Sequence, residues 1–296
     1  MKKIGIFVCQ LLLISLFAGS TSASPAGWSP LLEAAPLLNM LSTQDSVRVL
    51  HLTGDYDAAH IPGAVNAPYA RFRGPEDNAG QLPPMTELTT LVQELGIAAD
   101  TPVVLVHAGN GPVDMGAATR VYWTLKSLGV EQLAILNGGL SAWQEAGFPV
   151  SNEPVTVTAS SFQPEWNDQY QATTVQIEQM LNDSGTQIVD ARPAAYFRGE
   201  QSTAARAGTL PGADNISFTQ FFADSRMQVS TELADTLSGT LDRSADSTVT
   251  FCNTGHLGSI NWFVISELGG YENTRLYAES ITEWAQDASR PMMNEP

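Results

Sequence analysis

The chain carries one unit twice, and this limits its possible folds more than any other feature. His60-Ile61-Pro62-Gly63-Ala64-Val65-Asn66 returns 149 residues later as Thr209-Leu210-Pro211-Gly212-Ala213-Asp214-Asn215. Thr101-Pro102-Val103-Val104-Leu105-Val106-His107 corresponds to Ser247-Thr248-Val249-Thr250-Phe251-Cys252. Each run leads into a helical stretch ending in Leu-Gly, Thr119 to Gly129 and Ser259 to Gly269. A short apolar strand follows (Leu133 to Leu136; Thr274 to Tyr277), then a helix carrying Trp143 or Trp284. Short apolar strands alternating with helices predict an α/β fold, in each copy a parallel sheet with helices on both faces. Turn formers from Gly147-Phe148-Pro149 to Pro154 mark a linker, which bounds the copies as 24–150 and 151–296. The Pro-Gly pair in each copy is a tight turn feeding a strand, structural rather than catalytic.

Residues 1–23 read as a secretory signal. Lys2-Lys3 is the charged start, Ile4 to Phe17 the apolar stretch, and Thr21-Ser22-Ala23 the small-residue cleavage site, leaving Ser24 as the new N-terminus. The expected address is periplasmic or secreted. The apolar stretch is short for a membrane span, and Cys9 has no lipobox around it, so no stable membrane insertion is expected after cleavage. Loss of Lys2 and Lys3, with no acid in the leader, takes the net charge from −17 to −19. That balance opposes binding to nucleic acid and to anionic membranes. A small anionic substrate would need a local positive pocket against the global field.

Cys252 is the single cysteine beyond the leader, so it has no intramolecular disulfide partner. A lone thiol kept in an oxidising compartment is better explained by chemistry than by structure. The order strand, nucleophile, small residues, helix makes a socket of backbone N–H groups from Asn253, Thr254, Gly255, His256, Leu257, Gly258 and Ser259. Those dipoles and the helix N-terminus favour a thiolate and an anion bonded to it. Gly255 and Gly258 let the backbone curl around the sulfur, since positive φ costs glycine little. Asn253, Thr254 and Ser259 add polar contacts, although Ser259 also suits a helix cap. His256 sits four positions along a tight loop, where shaping the approach to the thiol, or a partial positive charge near pH 6, fits better than a base role. His51, His60, His107 and His256 lack metal-ligand spacing, so no metal and no cofactor are expected.

Asp190-Ala191-Arg192, the Leu210-Pro211-Gly212-Ala213 turn, the Cys252-x-x-Gly255-x-x-Gly258 loop and the Glu283-Trp284 helix together resemble the tandem rhodanese family of sulfurtransferases, over nearly the whole mature chain. The resemblance implies two rhodanese-like domains: a catalytically silent N-terminal one that walls the cleft, and a C-terminal one holding the nucleophile. It implies that Cys252 takes the outer sulfur of a small anionic donor as a persulfide, which cyanide or a thiol acceptor then removes. Arg192 is the implied grip on the donor, a structural ion pair being the alternative; Arg198 and Arg206 stand near it in sequence. His107 and Ala108 fall near the matching strand end of the first copy, and a drift of about five residues between the copies predicts a longer first loop, His107 to Gly116.

Several positions depart from the family's patterns. Thiosulfate-using members often carry basic residues where this chain has Asn253-Thr254. Mercaptopyruvate-using members have Gly-Ser there and a second arginine where this chain has Tyr196. Thr209 replaces a histidine, and Ala278-Glu279-Ser280-Ile281 replaces Asp-Gly-Ser-Trp. Thiosulfate is slightly favoured, because one arginine and the loop amides suffice for a compact dianion. Among rivals, cysteine phosphatases need an arginine six positions after the cysteine, and Gly258 stands there. A non-catalytic persulfide carrier or binding module that delivers sulfur to a protein partner is the main alternative. A redox sensor at Cys252 is the third.

Overall fold

The computed structural model describes residues 24–181, 183–228 and 231–294; the expected leader, 1–23, lies outside the described residues. The first copy runs β1 (Leu31–Leu32), α1 (Ala34–Thr43), β2 (Arg48–His51), β3 (Val65–Asn66), α2 (Met85–Glu94), β4 (Val103–Val106), α3 (Pro112–Ser127), β5 (Leu133–Leu136) and α4 (Gly139–Glu145). Its strands form one sheet in the order β1-β5-β4-β2-β3, every pair parallel. The second copy runs α5 (Thr174–Met180), β6 (Thr186–Asp190), α6 (Ala194–Phe197) and β7 (Ala213–Asn215), then a small antiparallel hairpin of β8 (Phe222–Ala223) and β9 (Arg226–Met227). It closes with α7 (Thr231–Thr240), β10 (Ser247–Phe251), α8 (His256–Phe263), a π-helical turn at Val264–Leu268, β11 (Thr274–Leu276) and α9 (Ser280–Trp284). Its sheet, β11-β10-β6-β7, is also parallel throughout.

β4 and β5 are continuously apolar in sequence because both faces of their sheet are covered. Alternate residues of β4 go to different sides: Val103 and Leu105 join one apolar cluster, Val104 and Val106 another. In β10, Val249 and Phe251 belong to a third cluster, with Trp284 of α9. Such period-two sorting with no wet face marks a buried parallel sheet. The largest cluster is common to both copies: Leu105, Val121 and Trp123 from the first share it with Ile260, Trp262 and Phe263 from the second.

That shared core lies where α3 packs on α8. The Thr119 and Ser259 hydroxyls are 2.8 Å apart across the helix pair. Lys126 Nζ reaches Glu267 Oε2 at 2.8 Å, and the Tyr122 hydroxyl donates to the same carboxylate. The Lys126–Glu267 pair is partly exposed and contributes about 1 kcal/mol or less, so apolar burial of both tryptophans dominates this interface.

Backbone hydrogen bonds align the copies residue by residue. Leu52 N donates to Val106 O as Ala191 N does to Phe251 O; Leu140 N donates to His107 O as Ile281 N does to Cys252 O. His107 therefore occupies the place of Cys252, Thr53 that of Arg192, and Gly139 that of Ser280. The first loop is shorter than expected. Pro112 suits the first helical position, so α3 begins there and the extra residues lengthen the helix rather than the loop. The stretch after residue 150 also differs from a simple linker. Residues 152–167 run without regular structure along the first copy, where the Ser160 hydroxyl donates to Ile97 O and Gln93 Nε2 to Phe162 O. Among the described residues, no helix is long and apolar enough to cross a membrane.

Candidate active site

Between Phe251 at the end of β10 and His256 at the start of α8, the chain must turn from sheet to helix in four residues. Gly255 makes the turn at φ 68°. A Cβ there would lie 2.3 Å from Ala278 O and 2.5 Å from Arg120 Nη1, so both conformation and space demand glycine. Gly258, expected to share that freedom, is instead ordinary helix. Its bare Cα lets α8 approach the strand end, since a Cβ would lie 2.9 Å from Phe251 C.

Ser280 fastens the turn from outside. It holds φ 57°, where the first copy has Gly139 at φ 60°, a conformation that costs serine about 1 kcal/mol. In return its hydroxyl donates to Tyr277 O at 2.7 Å and accepts the Cys252 and Gly255 N–H groups, each at 3.1 Å.

These bonds decide which amides remain for an anion. The expected socket from Asn253 to Ser259 is smaller than its span, because Gly255 N–H goes to Ser280 and Ser259 N–H to Gly255 O. The backbone N–H groups of Asn253, Thr254, His256, Leu257 and Gly258 have no acceptor among the described residues. The last three are the orphan donors of the first turn of α8, at the positive end of its dipole. Beside them, Cys252 is a free thiol, 1 % exposed.

The other expected site residues fall differently. Arg192 is spent almost wholly on structure and is 1 % exposed. Its Nε lies 2.9 and 3.1 Å from the Asp190 carboxylate oxygens, and its Nη2 lies 2.6 Å from Asp190 and 2.7 Å from Gly208 O. Only Nη1 faces the loop, 3.2 Å from Asn253 Oδ1. Ser259 is fully buried; its hydroxyl donates to His256 O and meets Thr119, so it joins helices rather than facing a ligand. Arg198 pairs with Glu200 at the surface, and Arg206 holds the C-terminal segment through the carbonyls of Ala285 and Arg290.

His256 is neutral, contrary to the expected positive charge near pH 6. Its Nε2 donates to Val113 O at 2.8 Å, which leaves Nδ1 to accept the Tyr69 hydroxyl at 2.9 Å. The ring lies against Gly116 of α3, where any Cβ would stand 2.5 Å from Nε2. Burial, reinforced by Arg73 and Arg120, pushes its pKa down to about 4. The unfolded chain therefore binds the proton first, and stability falls as pH drops from the ordinary histidine range towards 4, by on the order of 2–3 kcal/mol. Urea midpoints at pH 7 and pH 4.5 should show this slope, and it should flatten in His256→Gln.

Sequence reasoning missed the residues that the first copy contributes. Arg73 Nη2 donates to Thr254 O at 2.9 Å, and its guanidinium lies 5.3 Å from the Tyr69 ring. Arg120, in the middle of α3, is fully buried, stacks 4.8 Å from the Trp123 ring and gives Nη2 to Gly80 O at 2.8 Å. Burial, with the charge of Arg73, lowers its pKa to about 9, so it is charged at neutral pH. Together the two guanidiniums put positive charge beside the Cys252 loop in a chain that is acidic overall. A charge inside the run Gly116-Ala117-Ala118-Thr119-Arg120-Val121-Tyr122-Trp123 is the one sequence signal that pointed there.

The corresponding loop of the first copy is occupied by the protein itself. Asp114 accepts Gly109 N–H at 2.7 Å and the Thr53 hydroxyl at 2.8 Å, and lies 3.5 Å from the His107 ring. Burial opposes the charge, but the His107 ring, Thr53 and the Gly109 amide hold the carboxyl well below its usual range. A carboxylate fills the anion position, and a histidine stands where the thiol would be. An open cavity of about 600 Å³ between the copies is lined by Tyr69, Val113, Asp114 and His256.

A doubly wound pair of parallel sheets with a thiol at the N-terminus of the second copy's central helix defines a class, and the comparisons agree with it. The rhodanese-like domain family matches residues 36–146 and 173–287, and the chain belongs to that family. A thiosulfate sulfurtransferase of Azotobacter vinelandii is 30% identical over 88% of this chain and 96% of its own length. The 3-mercaptopyruvate sulfurtransferase of Escherichia coli K12 is 26% identical over 80% and 84%. The crystal structure of an anaerobic ergothioneine biosynthesis enzyme from Chlorobium limicola superposes with TM-score 0.80 at 22% identity, covering 90% of this chain and 70% of that one, a likeness of fold. Within the family this chain is an enzyme of the sulfurtransferase class.

Proposed function

We propose that the chain moves the outer sulfur of a small anionic donor onto Cys252 and from there to cyanide or a thiol, outside the cytoplasm. The observation that carries this reading is the Cys252 thiol beside five backbone N–H groups, in the loop and the first turn of α8, that have no acceptor among the described residues. In the first step the Cys252 thiolate attacks the outer sulfur of thiosulfate. The new S–S bond forms as the donor's S–S bond breaks, its electron pair leaving with sulfite, so the negative charge of the thiolate reappears on the terminal persulfide sulfur. Orphan amides 253, 254 and 256–258 stabilise that charge without a charged side chain in the loop. In the second step cyanide attacks the terminal sulfur and Cys252 leaves as thiolate, giving thiocyanate.

Thiosulfate stands before 3-mercaptopyruvate in this reading, because the two arginines beside the loop suit a dianion, although relatives are named for each donor. A thiol that is 1 % exposed favours small substrates over a protein partner, which weighs against the carrier alternative. Extracytoplasmic action rests on the sequence of residues 1–23. Initial rates with thiosulfate and cyanide varied together should give parallel double-reciprocal lines. Repeating them with 3-mercaptopyruvate ranks the donors by kcat/KM. Intersecting lines would rule out a free covalent intermediate, and absence of turnover with both donors would overturn the proposal.

A further inference from the structure

We propose that the N-terminal copy is not catalytically silent: Arg73 and Arg120 bind the anionic end of the donor, so the substrate site is built from both domains. This rests on the sulfurtransferase reading above and assigns its anion-binding side chains.

Arg192, the expected grip, has almost nothing left to offer, since Asp190 and Gly208 take Nε and Nη2 and Asn253 faces Nη1. The first-copy arginines are the reverse. Arg120 is 0% exposed, yet among the described residues its Nε and Nη1 have no hydrogen-bond partner, and Arg73 Nη1 is buried and unpartnered as well. Arg120 Nη1 stands against Gly255, at the place where a side chain on that glycine would lie. Burying a guanidinium with two nitrogens unmet is unfavourable unless an anion completes it, and no carboxylate forms an ion pair with either arginine among the described residues. The acid whose charge acts on Arg120, Glu279, has its own pKa raised by burial and by Glu283. The two guanidiniums lie against the backbone of Thr254 and Gly255, in the same loop that carries the five amides, so a small anion held there would bring its sulfur to the thiol. The matching position of the first copy is filled by the Asp114 carboxylate, so the fold accepts an anion at this point of the unit.

The test is a pair of variants, Arg73→Gln and Arg120→Gln, in the full-length mature protein, with thiosulfate and 3-mercaptopyruvate as donors and cyanide as acceptor. Each variant should lower kcat/KM for the donor by about 10- to 100-fold, the loss expected for one charge-assisted hydrogen bond in a buried site. The kcat/KM for cyanide, which reports the persulfide step after the donor's anion has left, should stay within about threefold. A larger loss with thiosulfate than with 3-mercaptopyruvate identifies the dianion as the ligand that the pair recognises; the opposite order identifies the keto acid. Arg120 is deeply buried, so if Arg120→Gln fails to fold, the half-buried Arg73 decides alone. Equal losses in the donor and acceptor parameters, or an unchanged donor parameter in Arg73→Gln, would overturn the assignment. Wild-type protein that turns over neither donor would remove the underlying reading, a failure recognisable before any variant is made.

Discussion

Asp190→Ala is expected to destabilise the protein by about 3–5 kcal/mol, the cost of leaving a buried charge without its partner. Asp190 is fully buried and holds Arg192 through three contacts, at 2.6, 2.9 and 3.1 Å. It also accepts the Thr209 hydroxyl at 2.8 Å and the Arg192 N–H at 2.9 Å. Removing the carboxylate strands a guanidinium that is 1 % exposed. Most domains have only about 5–15 kcal/mol in hand, so a large share of the stability goes. Replacing both partners with apolar residues, Asp190→Leu with Arg192→Met, should recover much of the loss, because the desolvation cost of the pair vanishes with the pair. Urea midpoints of the three proteins decide the matter. A single-variant loss below about 1 kcal/mol would show that the pair is hydrated and that Arg192 is free for other work.

Gly255→Ala should cut turnover on the order of 100-fold, because displacements of about 1 Å at a reacting centre cost that much. Positive φ alone costs alanine about 1 kcal/mol. The rest comes from a methyl placed 2.3 Å from Ala278 O and 2.5 Å from Arg120 Nη1. Neither neighbour is a free side-chain end: Ala278 O is backbone, and Arg120 is buried and bonded to Gly80. The loop must therefore move, carrying the Cys252 thiol and the orphan amides with it. Gly63→Ala is the control. Gly63 has φ 82° and nothing within 4 Å of a Cβ, so it should show the conformational cost with no change in turnover. Equal activity in both variants would mean that the geometry of the turn is not what the chemistry needs.

The duplication, the parallel sheets and the Cys252 loop were legible because each is local: a recurrent motif, an apolar strand buried on two faces, a cysteine before a glycine turn. The role of Arg192 was not, because Asp190-Ala191-Arg192 is compatible with an ion pair or with an anion grip, and only burial of both groups separates them. Ser259 was ambiguous in the same way until α3 placed Thr119 against it. The charge state of His256 depends on Gly116, from the other copy, letting the ring lie against its helix. Nothing in the order of residues links positions 73 and 120 to position 252. They meet because α3 and α8 share one core, and that packing is a property of the pair of domains.

The most direct test of the central claim is intact-protein mass spectrometry of the purified protein before and after thiosulfate or 3-mercaptopyruvate, beside Cys252→Ser. The account predicts a gain of one sulfur atom, about 32 Da, on the wild-type protein. The gain should be absent in the variant and removed by cyanide. A folded protein with a free Cys252 thiol that gains no sulfur from either donor, or a variant that gains it equally, would contradict the account.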